Sequence, residues 1–208
     1  NLPPLYKTSI AVGDYSIDHH HAIFVNDADN PYRNMGEHYP ASQSPTIPYG
    51  TLIPEGKDGF MACDKNISVS HIVNGSTRLQ PIVMLTGQAA GAAAALSCQS
   101  SIQPRQVNVR QLQQVLLNYG SMLMPFKDVS STYWAYQPIQ RVSVAGALRA
   151  RDITSSWLKS CYFDPSSTMT YYDGALALRR ALAVDVLTTQ YIWDTTGISL
   201  TRGALAGA

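Results

Sequence analysis

Two stretches of this sequence hold side chains whose types and spacing suggest chemistry. The first is Asp18-His19-His20-His21. Adjacent histidines invite a metal, but successive side chains on a strand face opposite sides, so only His19 and His21 would converge. No Cys, Asp or Glu stands at a supporting ligand spacing, so no metal site is expected. A histidine in this run can instead line a substrate pocket as general acid or base. The second stretch runs from Phe60 through Met61, Ala62, Cys63, Asp64, Lys65 and Asn66 to a helix beyond Thr77. A helix amino terminus offers free N–H groups and a partial positive charge, which attract phosphate or an electron-rich ring edge. Asp64, just past a strand end, can accept hydrogen bonds from a ribose-like polyol, and Lys65 can neutralise a phosphate. By residue spacing alone a plain loop is the better reading here.

What is absent narrows the chemistry further. The sequence contains no Gly-x-Gly-x-x-Gly, no Walker loop, no Gly-x-Ser-x-Gly and no His-Glu-x-x-His. A complete nucleotide-binding half is therefore missing from it. The 15 Lys and Arg against 14 Asp and Glu leave a net charge of +1, which excludes a nucleic-acid footprint or a polybasic membrane patch. The hydrophobic share of 45% is enough for a core. The charged share of 14% is low beside the roughly 25% of ordinary globular proteins, which suits an extracytoplasmic or cell-surface protein, or a piece whose bare faces meet another domain. Cys63, Cys98 and Cys161 are too few and too far apart for a disulfide framework or a metal knuckle and read as buried thiols. The opening Asn1-Leu2-Pro3-Pro4 lacks a signal-peptide pattern and an initiator Met, so the chain is expected to begin inside a longer polypeptide. The longest apolar stretch, Pro81 to Leu96, falls short of the ~20 residues of a membrane span.

The elements that would position these residues follow from pattern. Ser9–Val12 and Ala22–Val25 read as short strands, Ile47–Pro54 as an edge strand bounded by proline, and Gly59–Cys63 as a short buried strand. A long Ala-rich helix is expected from about Arg78 to Ser97. Gly87, Gly91 and Ala95 lie four apart on one nearly bare face, against which a sheet, a helix or a flat ligand would pack closely. A shorter helix covers Val109–Tyr119, with Leu112, Val115 and Leu116 on one side. From Phe126 onward the pattern changes: a loop at Lys127–Ser131, a helix over Trp134–Leu148 with Trp134 in its core, a turn at Asp164–Ser167, and a helix over Tyr171–Val184 capped by Thr170. The Leu200–Ala206 segment reads as another cap and helix start.

Five separated motifs then stand in one order: Val12-Gly13-Asp14-Tyr15-Ser16-Ile17-Asp18-His19-His20, Ile47-Pro48-Tyr49-Gly50, Lys65–His71, Asn74–Pro81 and Gly87–Ala92. Together, over about Thr8 to Leu96, they resemble the C-terminal part of FAD-dependent oxidoreductases of the glutathione-reductase-like superfamily, in a branch found in bacterial polysaccharide-degrading communities. The resemblance implies FAD held between an N-terminal Rossmann half and this return strand and helix. Asp64 and Lys65 would then stand near the ribityl chain and pyrophosphate. Arg78, Leu79, Gln80 and Pro81 would open the helix aimed at the isoalloxazine edge, with Gly87 and Gly91 permitting close packing under the cofactor. His20 or His71 would face the substrate. The family usually has Gly where Asp64 stands and Ala where Cys63 stands. The later residues Phe126–Val129, Tyr133–Tyr136, Ile139, Gly146, Phe163–Pro165 and Met169-Thr170, then Ala175–Leu182, resemble an S-layer homology module, a small helical unit that often binds cell-wall polysaccharide. The family's usual Thr-Arg is Thr170-Tyr171 here, and a truncated second copy would begin at Ile198–Arg202.

The expectation is an α/β partial FAD-binding domain over residues 1–122 and a mainly α-helical module over 123–208. The function it implies is the C-terminal fragment of a flavin oxidoreductase, inactive without its Rossmann half. Its catalytic candidates are His20 and His71, and its cofactor candidates are Asp64, Lys65, Arg78, Leu79, Gln80 and Gly87. The substrate would be a small molecule or a glycan, with neither nucleic acid nor membrane as partner. The alternatives are a polysaccharide-binding or cell-surface module, and part of a carbohydrate-active enzyme such as a xanthan-type lyase, for which twelve tyrosines and five histidines supply the residue types.

Overall fold

The computed structural model describes residues 7–17, 42–148, 150–155, 158–182, and 201, 202 and 206. In chain order the elements are β1 (Ser9–Val12), β2 (Ser42–Gln43), β3 (Thr46–Pro48), α1 (His71–Thr77), α2 (Gln80–Ser100), α3 (Val109–Asn118), α4 (Tyr136–Val144), β4 (Arg151–Ser155), β5 (Leu158–Tyr162) and α5 (Tyr171–Leu182). Short 3-10 turns occupy Tyr49–Leu52, Asp64–Asn66 and Pro104–Gln106.

β1 is the strand on which the first part of the chain packs. All four of its residues are buried. It pairs antiparallel with β3 through Ala11↔Ile47 and Val12↔Thr46, with an irregularity between Ser9 and Ala11. Both α2 and α3 pack on it. The buried amide of Gln113 on α3 closes part of its backbone: Nε2 donates to the carbonyls of Ser9 at 2.8 Å and Lys7 at 3.0 Å. Backbone carbonyls buried without partners would cost free energy, so this side chain stands where another strand would.

Past β1 the chain runs beneath the first turns of α2. The N–H of Gly13 donates to Pro45 at 2.8 Å. A Cβ at Gly13 would lie 2.5 Å from Ile82 Cδ1, so only glycine allows this approach. Ile82, Thr86, Ala89, Ala90, Ala93, Leu96 and Ser97 form the buried face of α2. By length and composition α2 meets the requirements of a membrane span, a length the apolar run on its own did not reach; a third of the qualifying window is buried inside the protein.

A second sheet has the order β2-β5-β4, with β2 parallel to β5 and β4 antiparallel to it from Arg151↔Tyr162 to Ser155↔Leu158. This qualifies the expectation of a mainly helical C-terminal part: α4 and α5 are present, and between them the chain forms paired strands, where β-branched Ile153 and Thr154 favour extension. Buried residues from the whole described chain, including Ile10, Leu52, Leu116, Met124, Ile139, Phe163 and Ala177, join one apolar cluster. The amide of Gln140, itself fully buried, ties α4 to the preceding segment. Its Oε1 accepts from Leu123 and Met124 N–H at 2.8 and 2.7 Å, and its Nε2 donates to the Met124 carbonyl at 3.0 Å.

Four further expectations are corrected. Residues 59–63 form a loop, not a buried strand, and Phe60 is 57% exposed; the one backbone tie to the preceding turn is Ala62 N–H to the Leu52 carbonyl at 2.8 Å. The Ile47–Pro54 strand is shortened to β3, because the chain turns into a 3-10 helix at Tyr49. Cys63 and Cys98 are exposed and only Cys161 is buried. Trp134 precedes α4 and is 67% exposed rather than packed in the core. The expected strand at Ala22–Val25 lies outside the described residues.

Candidate functional site

The site is built where the chain climbs from the first sheet into α2. After the Leu52 turn a loop over residues 53–63 leads to the 3-10 turn Asp64–Asn66, which packs against α2. Asp64 has φ 65°. That is the left-handed region, which a non-glycine residue enters at a cost and which Asp and Asn tolerate best. The turn therefore has the backbone shape of a glycine position with an added carboxylate. Asp64 and Lys65 are both exposed. Their carboxylate and ammonium suit a polyol and a phosphate as donor set.

α1 was not foreseen as a separate helix. Its signal is Ser70, whose hydroxyl accepts from Val73 N–H at 3.3 Å as an N-cap. Ser76 Oγ donates to the Tyr15 carbonyl at 2.7 Å and so fixes α1 to the strand exit. His71 is exposed at the first residue of α1, while Arg78 is its C-cap and is half-buried. Seven residues at ~1.5 Å rise put roughly 10 Å between those two ends. Of the sequence-selected residues, then, the structure joins Arg78, Leu79 and Gln80 at the α1–α2 junction, holds Asp64 and Lys65 on the turn beside α2, and sets His71 a helix length away. Gly87 lies two turns into α2. His20, with the whole Asp18–His21 run, lies outside the described residues.

The amino terminus of α2 is uncapped. Leu79 supplies no side-chain acceptor, the first turn holds no acidic residue, and Pro81 occupies the first turn where its missing N–H costs nothing. The remaining first-turn N–H groups have no partner within the helix, and the dipole of 21 aligned residues ends there. Along the outer face nothing lies within 4 Å of where a Cβ would stand on Gly87 or Gly91. The close neighbour expected on that stripe is therefore not supplied by the described residues. Beside it an open cleft of about 410 Å³ separates α2 from α3, lined by Gln88, Ala92, Ala95, Leu96, Gln99, Val115, Leu116 and Tyr119. Sequence reading also missed Gln103 and Arg105, which follow α2 and reach back to the 53–63 loop. Their signal was the Gln103-Pro104-Arg105-Gln106 pattern, in which the Gln103 N–H donates to Gln106 Oε1 at 2.9 Å.

Compared with known protein families, residues 4–116, a little over half of the chain, match the family model described as FAD dependent oxidoreductase. No curated protein and no solved structure gives a match.

Proposed function

The chain belongs to the FAD dependent oxidoreductase family, and from that premise we propose that residues 1–122 are the C-terminal, cofactor-facing portion of a flavin oxidoreductase. The observation that carries this reading is the extent of the match: residues 4–116 take in β1, the Asp64 turn, the α1–α2 junction and most of α3. The residues present suit one side of the cofactor. The uncapped start of α2 offers N–H groups at Gln80 and Ile82 to an electron-rich ring edge, and the bare Gly87–Gly91 face admits a flat group at close range. The Asp64 carboxylate would hold ribityl hydroxyls, and Lys65 would face the pyrophosphate. Arg78 supplies a fixed positive charge behind the junction. FAD, when bound, supplies the hydride acceptor or donor; the chain supplies orientation and electrostatics. His20 and His71 are the candidates for moving a proton on the substrate side.

No Gly-x-Gly-x-x-Gly occurs in these 208 residues. A Rossmann half would have to cradle the phosphates, so the chain alone holds FAD weakly and turns over no substrate. Absorbance after incubation with FAD and a short desalting step tests this. Flavin bands retained by the unaltered chain and reduced in Asp64→Ala and Lys65→Ala support the assignment. Equal retention in all three removes Asp64 and Lys65 from the site.

A second reading for residues 123–208, a glycan-facing module, rests on Trp134. Its exposed ring stands 5.8 Å from Tyr133 at a tilt of 44°, and an exposed indole offers an apolar face on which a sugar ring can lie. Retention on immobilised cell-wall polysaccharide, lost in Trp134→Ala, would favour it.

A further inference from the structure

The 53–63 loop carries the chain to Asp64, yet it forms no regular structure and contains two glycines in left-handed conformation, Gly56 at φ 66° and Gly59 at φ 67°. Such a segment is held only by what grips it. At its carboxyl end the loop is tied by Ala62 N–H to the Leu52 carbonyl, and at residues 57–59 the grip comes from the turn after α2. Gln103 Oε1 accepts the Gly59 N–H at 2.8 Å. The Arg105 guanidinium pairs with the Asp58 carboxylate at 2.9 Å and donates to the Lys57 carbonyl. Between them, the Pro104 carbonyl accepts the Tyr49 hydroxyl at 2.6 Å. Three consecutive residues thus hold both the loop and the turn from which it starts. The gripping turn is itself locked, because Gln106 N–H donates to the Gln103 carbonyl at 2.8 Å while the Gln106 side chain accepts from the Gln103 N–H.

We propose that Gln103 and Arg105 are positioning residues for the cofactor site: they hold the 53–63 loop so that Asp64 and Lys65 stand beside α2 in a binding-ready turn. This rests on the cofactor reading above. The Arg105–Asp58 pair is solvent-exposed, with side chains 40% and 69% accessible. Exposed pairs add little to global stability. Loss of the grip therefore loosens the loop without unfolding the chain, and the site has to order the loop again at each binding event.

The test is amide NMR of the unaltered chain, Arg105→Ala, Arg105→Lys and Gln103→Ala, each titrated with FAD, together with hydrogen exchange at Gly59. The unaltered chain is expected to shift at residues 64–68 and at Gln80 and Ile82. Arg105→Ala and Gln103→Ala should exchange faster at Gly59 and weaken FAD binding by about three- to tenfold, the cost of ordering one or two extra groups. Arg105→Lys, which keeps the charge but not the forked donor geometry, should fall between. Faster exchange with unchanged FAD binding overturns the proposal and leaves the cofactor reading standing. A folded, unaltered chain with no FAD-induced shift at residues 64–68 overturns both.

Discussion

Gly13→Ala is the sharpest test of how the chain passes beneath α2. The added Cβ would lie 2.5 Å from Ile82 Cδ1, 3.2 Å from Ile82 Cγ1 and 2.8 Å from Pro45 Cγ. Carbon atoms pack best at about 3.5–4.0 Å, so two of these contacts overlap by most of an ångström. The Ile82 methyl sits at the end of a rotatable side chain, but Ile82 is 3% exposed and its rotation displaces its neighbours. The Pro45 ring cannot rotate, and backbone movement would stretch the 2.8 Å bond from Gly13 N–H to the Pro45 carbonyl. Overpacking of this kind costs about 1–3 kcal/mol. Gly13 does not have positive φ, so alanine recovers about 0.4–1 kcal/mol by restricting the unfolded chain. The net expectation is a loss of about 1–2 kcal/mol, read as a lower urea midpoint with unchanged slope. Ile82→Val removes Cδ1 and alone costs about 0.5–1.5 kcal/mol. In the double variant the Ile82 Cδ1 overlap is gone while the Ile82 Cγ1 and Pro45 contacts remain, so the two changes should couple favourably by at least about 0.5 kcal/mol. A Gly13→Ala chain as stable as the parent, or strict additivity in the double variant, would refute the argument. Ile82 is the third residue of α2, so Gly13→Ala should also shift the amide resonances of Gln80 and Ile82.

Asp64→Gly should raise stability by up to about 1 kcal/mol, since the left-handed penalty of about 1–2 kcal/mol exceeds the entropy cost of glycine; a lower melting temperature would argue against the left-handed turn. Gln140→Leu should cost about 2–4 kcal/mol, because it leaves the buried N–H groups of Leu123 and Met124 unpaired and leaves the Met124 carbonyl with Phe126 N–H as its partner, and denaturant midpoints measure it. Burial pushes the phenols of Tyr49 and Tyr136 above their ordinary value of 10.0. The folded state then holds those protons more tightly than the unfolded chain. This contribution is full below pH about 10 and is lost as pH rises through the folded values, so urea midpoints should fall above pH about 10. Midpoints that stay flat in the parent and in Tyr136→Phe would contradict it.

The parts of the fold that were legible in the sequence are those set by local rules. Ala-rich composition placed α2 to within three residues at its carboxyl end. The Thr170 cap foreseen for α5 is present, with Thr170 Oγ1 accepting from Asp173 N–H at 3.1 Å; α3 starts where its apolar spacing places it, with Asn108 Oδ1 accepting from Arg110 N–H at 2.9 Å. What stayed hidden depends on tertiary contact. Residues 59–63 have the apolar content of a buried strand but find no strand partner. β4 and β5 are strands because they pair with each other, and their polar residues give no clear alternation. Trp134 is apolar by type, yet its place in the loop before α4 turns it outward. Gln113 and Gln140 look like surface glutamines in the sequence; each is buried because it meets the backbone groups of a distant segment.

The candidate site shows the same division. Asp64 stands where the resemblance implies a glycine, and its backbone takes the left-handed conformation that glycine enters freely, so the turn has a glycine-like shape and carries a carboxylate. The α1–α2 junction follows from a local start signal, Ser70, and from Leu79-Gln80-Pro81 opening a new helix. The latch at Gln103 and Arg105 obeys no local rule, because its partners lie 44 to 48 residues away and become neighbours only after α2 has packed on β1. α2 is the element that unites these parts. One face is spent on β1 and α3, and among the described residues no side chain caps its amino terminus and none lies against its glycine face. A helix meant only to fill a core would bury the long apolar side chains it has. Met84 on α2 is instead 73% exposed, on a helix without a single charged residue. An uncharged, small-residue, uncapped surface is suited to a flat cofactor and the half-domain that would hold its phosphates, and poorly suited to bulk water.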